Sequence, residues 1–136
     1  MPVPITLTYT ALFGFFLILL GGLVWQSRHE AQVDIGPEGH KDLERIIRAQ
    51  ASFAEYVPLT LLLIALLELN GSPAPFLHLL GTGLLVSRIV HAFSLSRSSA
   101  RTTGRLAGIV LTWLVLLSAS LTGLIRALDY LTGLDG

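Results

Sequence analysis

Apolar residues in this chain fall into blocks that are too long for a globular core and too continuous for strands. Ile5 to Trp25 is the first, with Thr, Tyr and Gly as its less apolar members. A second runs from about Ile46 to Leu69, and its first third carries Arg48, Gln50, Ser52 and Glu55. Phe76 to about Leu95 is a third, interrupted by Arg88 and His91; Leu106 to Leu131 is a fourth, free of charge until Arg126 and Asp129. A hydrocarbon core of about 30 Å is crossed by roughly 20 helical residues, and each block meets that length. A membrane strand would alternate apolar and polar positions, whereas Leu61-Leu62-Leu63-Ile64-Ala65-Leu66-Leu67 is apolar on every side. Only a helix in lipid suits such a run.

Punctuation between the blocks agrees with helices. Asn70-Gly71-Ser72-Pro73-Ala74-Pro75 combines a glycine stop with prolines just beyond it, so the second and third helices are predicted to form a tight antiparallel hairpin. The fold class expected is all-α: an integral membrane four-helix bundle, one domain over residues 1–136, with helices at about 4–27, 42–69, 74–96 and 103–131. Composition supports this reading, since 52% apolar and 13% charged residues in a chain of 136 is too oily for a soluble domain. The first block lacks a basic leader and a small-x-small cleavage site, so it is expected to stay as a spanning helix rather than a secretory signal. The sequence has no cysteine, so any thiol chemistry must use a thiol brought by a ligand.

Charge is balanced overall, and its placement is what informs. Arg28, Lys41, Arg45 and Arg48 lie in or beside the first connection and Arg88, Arg97, Arg101 and Arg105 in or near the third; the second connection has no Lys or Arg, and Arg126 alone lies toward the other side. The positive-inside rule then puts the first and third loops in the cytoplasm and both termini outside. Anionic lipid headgroups would account for some of these cations, and membrane lipid is an expected partner. Nucleic acid is not. Trp25 and Tyr130 fit interface anchors, while Gly81, Gly83, Gly104 and Gly108 would let helices approach closely.

Headgroups do not account for charges inside helices. At about 100° per residue, Arg45, Arg48, Ser52 and Glu55 share one stripe of the second helix; Arg88, His91 and Leu95 share a stripe of the third, with Ser87 beside it. A charge at mid-membrane costs about 2.5 to 3.5 kcal/mol even on the lenient insertion scale, so Glu55 and Arg88 should face protein or water and have partners. Counted from the basic ends they lie about two turns deep, which suggests a polar cleft open on that side. One reading is structural: Glu55 pairs with Arg48 or Arg88 and fastens helices together. The other starts from the imbalance, because Glu55 is the only deep acid beneath a surplus of arginine. Such a surplus suits an incoming anion with carboxylates for bidentate contacts. Pro58, one turn beyond Glu55, removes a backbone donor and would release the Ala54 carbonyl, widening the cleft if the helix kinks there.

These residues resemble a known family. Glu44-Arg45-x-x-Arg48-Ala49 followed by Glu55 and Pro58, with Arg88-x-x-His91 on the third helix, looks like the MAPEG superfamily, the membrane-associated proteins in eicosanoid and glutathione metabolism. Ala54-Glu55-Tyr56-Val57-Pro58-Leu59 and Glu68-Leu69-Asn70-Gly71 add a likeness to its bacterial members. The resemblance implies a homotrimer with glutathione sites between subunits near the cytoplasmic face, in a bacterial inner membrane. It makes Arg28, Arg48, Ser52, Glu55, Arg88 and His91 the glutathione-binding positions. Arg105 becomes the candidate that stabilises the thiolate, with Arg101 and Arg97 as alternatives because loop lengths differ. Two departures stand out: Ser52 occupies a place where relatives have Asn, and Leu95 one where some have Tyr.

Ligand chemistry fits that implication. Glutathione has two carboxylates and one ammonium; Glu55 would take the ammonium, and Arg28, Arg48 and Arg88 the carboxylates. A guanidinium near the sulfur favours the thiolate, the reactive form. Ser52 could equally satisfy a backbone carbonyl, and His91 could equally be a packing residue. The function expected is a glutathione-dependent transferase or peroxidase acting on a lipophilic electrophile that enters from the bilayer, with no metal. The alternative is a non-enzymatic protein of the same fold that binds an anionic lipid or metabolite, or a membrane scaffold.

Overall fold

The computed structural model describes residues 2–32, 41–97 and 103–133. Within them the chain is four helices: α1 Pro4–Ala31, α2 Lys41–Leu69, α3 Ala74–Arg97 and α4 Thr103–Thr132. All four are long and apolar enough to cross a membrane. The protein is a multi-pass integral membrane protein. Helix α1 runs a turn past the residue 27 expected from hydropathy, because Gln26, Ser27 and Arg28 continue it into the interface before Gln32 closes it in a left-handed conformation.

Helices α2 and α3 form the middle of the bundle. Each packs against the other three helices except that α1 and α4 make no contact with one another among the described residues. The α2–α3 hairpin is closed by a paired C-terminal motif: the Ser72 N–H bonds to the Leu67 carbonyl at 3.0 Å and the Gly71 N–H to the Glu68 carbonyl at 3.1 Å. Gly71 takes φ +81°, which a β-carbon would disfavour. Helix α2 continues through Pro58. Its inward face supplies Phe53, Val57, Ile64 and Leu67 to the core, where Phe13 meets the Phe53 ring edge-on and Phe16 stacks on it.

The beginning of α1 has Pro4 in its first turn and no side-chain cap of its own. Its free amides are taken by α2 instead: Glu68 Oε2 accepts the Ile5 N–H at 3.0 Å and Oε1 the Thr6 N–H at 2.9 Å. A carboxylate at the positive end of a helix dipole is favourable, so Glu68 both caps and docks α1. One turn on, the buried Tyr9 hydroxyl lies 2.9 Å from His78 Nδ1 and 2.9 Å from Thr82 Oγ1. On the opposite side of α3, Arg126 of α4 donates to the Asn70 carbonyl at 3.2 Å.

Candidate functional site

Arg88 is the centre of the polar interior. It sits on α3 between α2 and α4 and is 2% exposed, the largest of the fully buried side chains. Nη1 donates to Ser52 Oγ of α2 at 2.7 Å, and Nη2 donates to Thr112 Oγ1 of α4 at 3.0 Å. Thr112 Oγ1 lies 2.9 Å from Ser87 Oγ and 2.8 Å from the Gly108 carbonyl, and Ser87 in turn donates to the Leu84 carbonyl at 2.6 Å. The single Thr112 proton goes to Gly108 or Ser87, so its lone pairs remain available to the guanidinium. The Tyr56 ring lies 5.9 Å from Arg88 Cζ, within cation–π reach, and Trp113 Nε1 donates to the Tyr56 hydroxyl at 3.2 Å.

This network is neutral apart from Arg88. Hydroxyls hold the guanidinium, its Nε is buried with no hydrogen-bond partner, and no acidic side chain pairs with it among the described residues. A charge taken out of water without a counter-charge is costly, and the hydroxyl contacts to Ser52 and Thr112 offset part of that cost. Close packing fixes its shape. A β-carbon on Gly108 would lie 2.9 Å from the backbone nitrogen of His91, so only glycine lets α4 approach α3 at the level of the site.

The remaining sequence candidates do not all converge on Arg88. Ser52 is joined to Arg88, so its side chain faces the network rather than a carbonyl of its own helix. His91 is buried, one turn from Arg88. Arg48 and Glu55 face outward on α2: Arg48 bonds Glu44 at 3.4 Å, and Glu55 is exposed and makes no ion pair among the described residues. Neither Glu55–Arg48 nor Glu55–Arg88 is therefore a fastener within this chain. Glu55 lies about two turns from Arg48 and about four from the start of α2 at Lys41, near the middle of the apolar span Leu43–Leu69. Arg28 is half-buried near the end of α1. Arg45, half-buried, lines a groove together with residues of α1 and α3. Arg101 and the side chains of Leu95, Arg97 and Arg105 lie outside the described residues.

Sequence reasoning missed Thr112, Tyr56 and Trp113. Tyr56 follows Glu55 directly, and its position one turn from Ser52 was the available signal. A family model described as the MAPEG family matches residues 6–125. The chain belongs to the MAPEG family. Among its relatives is the inner membrane protein YecN of Escherichia coli strain K12, 28% identical over 116 residues that cover 85% of this chain and 87% of YecN. YecN of the O6:H1 strain CFT073 matches to the same extent. No solved structure matches the chain significantly. MAPEG membership accords with the four membrane-length helices.

Proposed function

We propose that this MAPEG protein is a glutathione-dependent transferase or peroxidase acting on a lipophilic electrophile, assembled as a homotrimer with its sites between subunits. The observation that carries the reading is the buried Arg88 guanidinium without a counter-charge, bonded to Ser52, which lies on α2 one turn from an outward-facing Glu55 near the middle of that span. A tripeptide with two carboxylates and one ammonium answers both: a carboxylate reaches the arginines, and the ammonium reaches Glu55. A neighbouring subunit over the Glu55 face would remove that carboxylate from lipid. Helices α2 and α3 would supply Arg48, Ser52, Glu55, Arg88 and His91, with Arg28 from the end of α1.

Arg105 would stand nearest the sulfur and favour the thiolate, the proton passing to water. In conjugation the sulfur lone pair forms the new S–C bond while the leaving group departs with its electrons. With a lipid hydroperoxide, the thiolate takes the terminal oxygen and the alkoxide is protonated to the alcohol. A second glutathione then reduces the sulfenic acid to disulfide and water. The basic connections would face the cytoplasm of a bacterial inner membrane, where glutathione is supplied, and the electrophile would enter sideways from lipid.

Calorimetry on the detergent-solubilised protein with glutathione and S-alkyl glutathione, followed by a conjugation assay, tests this directly. Saturable binding of both and turnover with a lipophilic electrophile are expected. Absence of binding to either would remove the glutathione reading. Binding without turnover would leave a non-enzymatic ligand protein.

A further inference from the structure

At the end of α4 away from the Arg88 network, Arg126 and Asp129 line an open cavity of about 390 Å³ together with Thr122 and Ile125. Both charged residues are half-buried. Residues three apart are neighbours on a helix surface, so an arginine and an aspartate at that spacing would ordinarily pair. No ion pair joins them among the described residues. Arg126 Nη1 donates instead to the Asn70 carbonyl in the α2–α3 turn at 3.2 Å, a neutral partner that leaves the guanidinium charge uncompensated. The Asp129 carboxylate has no hydrogen bond or ion pair among the described residues. It stands about one turn from the end of α4 at Thr132, where the helix dipole is negative and the last turn holds no basic residue. Asp129 thus favours a cation and Arg126 an anion, side by side in one cavity.

We propose that this cavity seats the headgroup of phosphatidylethanolamine, with the phosphate on Arg126 and the primary ammonium on Asp129. The order of groups along α4 is the order along that lipid: Thr122 and Ile125 toward the bilayer centre, Arg126 next, and Asp129 nearest the helix end. Arg126 lies about two turns from that end, the depth from which a long cationic side chain reaches the phosphate level. Leu121 and Leu128 are exposed beside Ile125 and give the acyl chains an ordinary apolar wall. Charge decides among headgroups. An anionic phosphatidylglycerol offers no cation to Asp129 and is repelled by it. Phosphatidylcholine carries the same phosphate, but its trimethylammonium has no N–H to donate and holds its charge farther from a carboxylate. A primary ammonium has three donors. The inference does not depend on glutathione.

The test uses the intact protein in nanodiscs of equal parts phosphatidylethanolamine and phosphatidylcholine with matched chains, and native mass spectrometry of the lipids that stay bound. Wild type should retain phosphatidylethanolamine over phosphatidylcholine by about three-fold, the scale of one exposed ion pair. Asp129→Asn should bring that ratio to one, and Asp129→Glu should keep most of the preference. Arg126→Gln should lower the number of lipids of either kind that stay bound, because the phosphate contact is common to both. Glu44→Gln, near the start of α2 at the opposite end of the bundle, should leave the ratio at its wild-type value. A wild type without enrichment would mean that the two charges are merely hydrated, and the seat is wrong. If Asp129→Asn keeps the enrichment, or Glu44→Gln removes it, the ammonium contact is wrong. If Arg126→Gln retains both lipids as wild type does, the phosphate contact is wrong.

Discussion

Arg88 shows how a single residue can organise the interior of a membrane bundle without a salt bridge. Its contacts to Ser52 and Thr112 join three helices, yet they are neutral and leave the charge uncompensated. Thr112→Val should lower the unfolding midpoint in detergent, with a cost of about 1 kcal/mol for the lost bond to a charged donor. Placing the same change in an Arg88→Met background should cost much less, since no buried charge is stranded there; equal losses in both backgrounds would show that the pair is not coupled. The outward carboxylate is a different case. Glu55→Gln and Arg48→Ala should each weaken glutathione binding about ten-fold, read by calorimetry, while melting stays near wild type. Arg105→Ala should spare binding of an S-alkyl conjugate but raise the pKa of bound thiol and depress turnover. Arg88 stood out in the sequence because a charge in an apolar span needs an explanation, and Ser52 because it shares a helix face with Arg48 and Glu55. Thr112 did not, because threonines in spans commonly bond the carbonyl four residues back. Thr60, Thr122 and Thr132 do so without reaching any other helix among the described residues.

Elements were legible where the signal is local. Apolar length gave the spans, and Asn70-Gly71-Ser72 with its flanking prolines gave the hairpin that the paired turn bonds now form. The docking of α1 had no such signal: its cap comes from Glu68, more than sixty residues away, and cross-helix caps leave no spacing to read. Glu68→Ala would free the Ile5 and Thr6 amides at once. Hydrogen exchange in nanodiscs should then show those amides opening faster, with exchange in the middle of α1 unchanged. An unchanged rate at Ile5 and Thr6 would mean that the carboxylate contributes nothing to the start of the helix. Gly108 makes the corresponding argument for α3 and α4. Its hypothetical β-carbon meets backbone of His91 rather than a movable side chain, so Gly108→Ala should push the helices apart, lower the melting temperature and weaken ligand binding together.

At the scale of the whole molecule, a single chain in a bilayer would leave one carboxylate facing lipid. Its central helix exposes Ala51, Glu55, Leu59 and Leu62 on one outward face, and Glu55 is near the midpoint of the span. Leucines there are at home in lipid; the carboxylate is not, and leaving it uncovered costs about 2.5 to 3.5 kcal/mol per subunit. Association that covers Glu55 recovers that cost, and a ring of three subunits would cover the face in every copy alike. Orientation can be tested in the same preparation, because the chain has no cysteine and single ones can be introduced cleanly. Ser72 is buried in the turn, so Ala74→Cys is the better reporter of that connection. Ala74→Cys should label from outside the cell and Ser98→Cys from the cytoplasm; the reverse pattern would overturn the orientation drawn from the arginines. Native mass spectrometry from mild detergent should then find three copies. Glu55→Leu removes the uncovered charge, so an assembly driven by covering it should dissociate more readily in that variant, whereas one driven by apolar packing should hold together as well or better. A wild type that is monomeric or dimeric under conditions that keep it folded would sink the trimer, and with it the placement of the site between subunits.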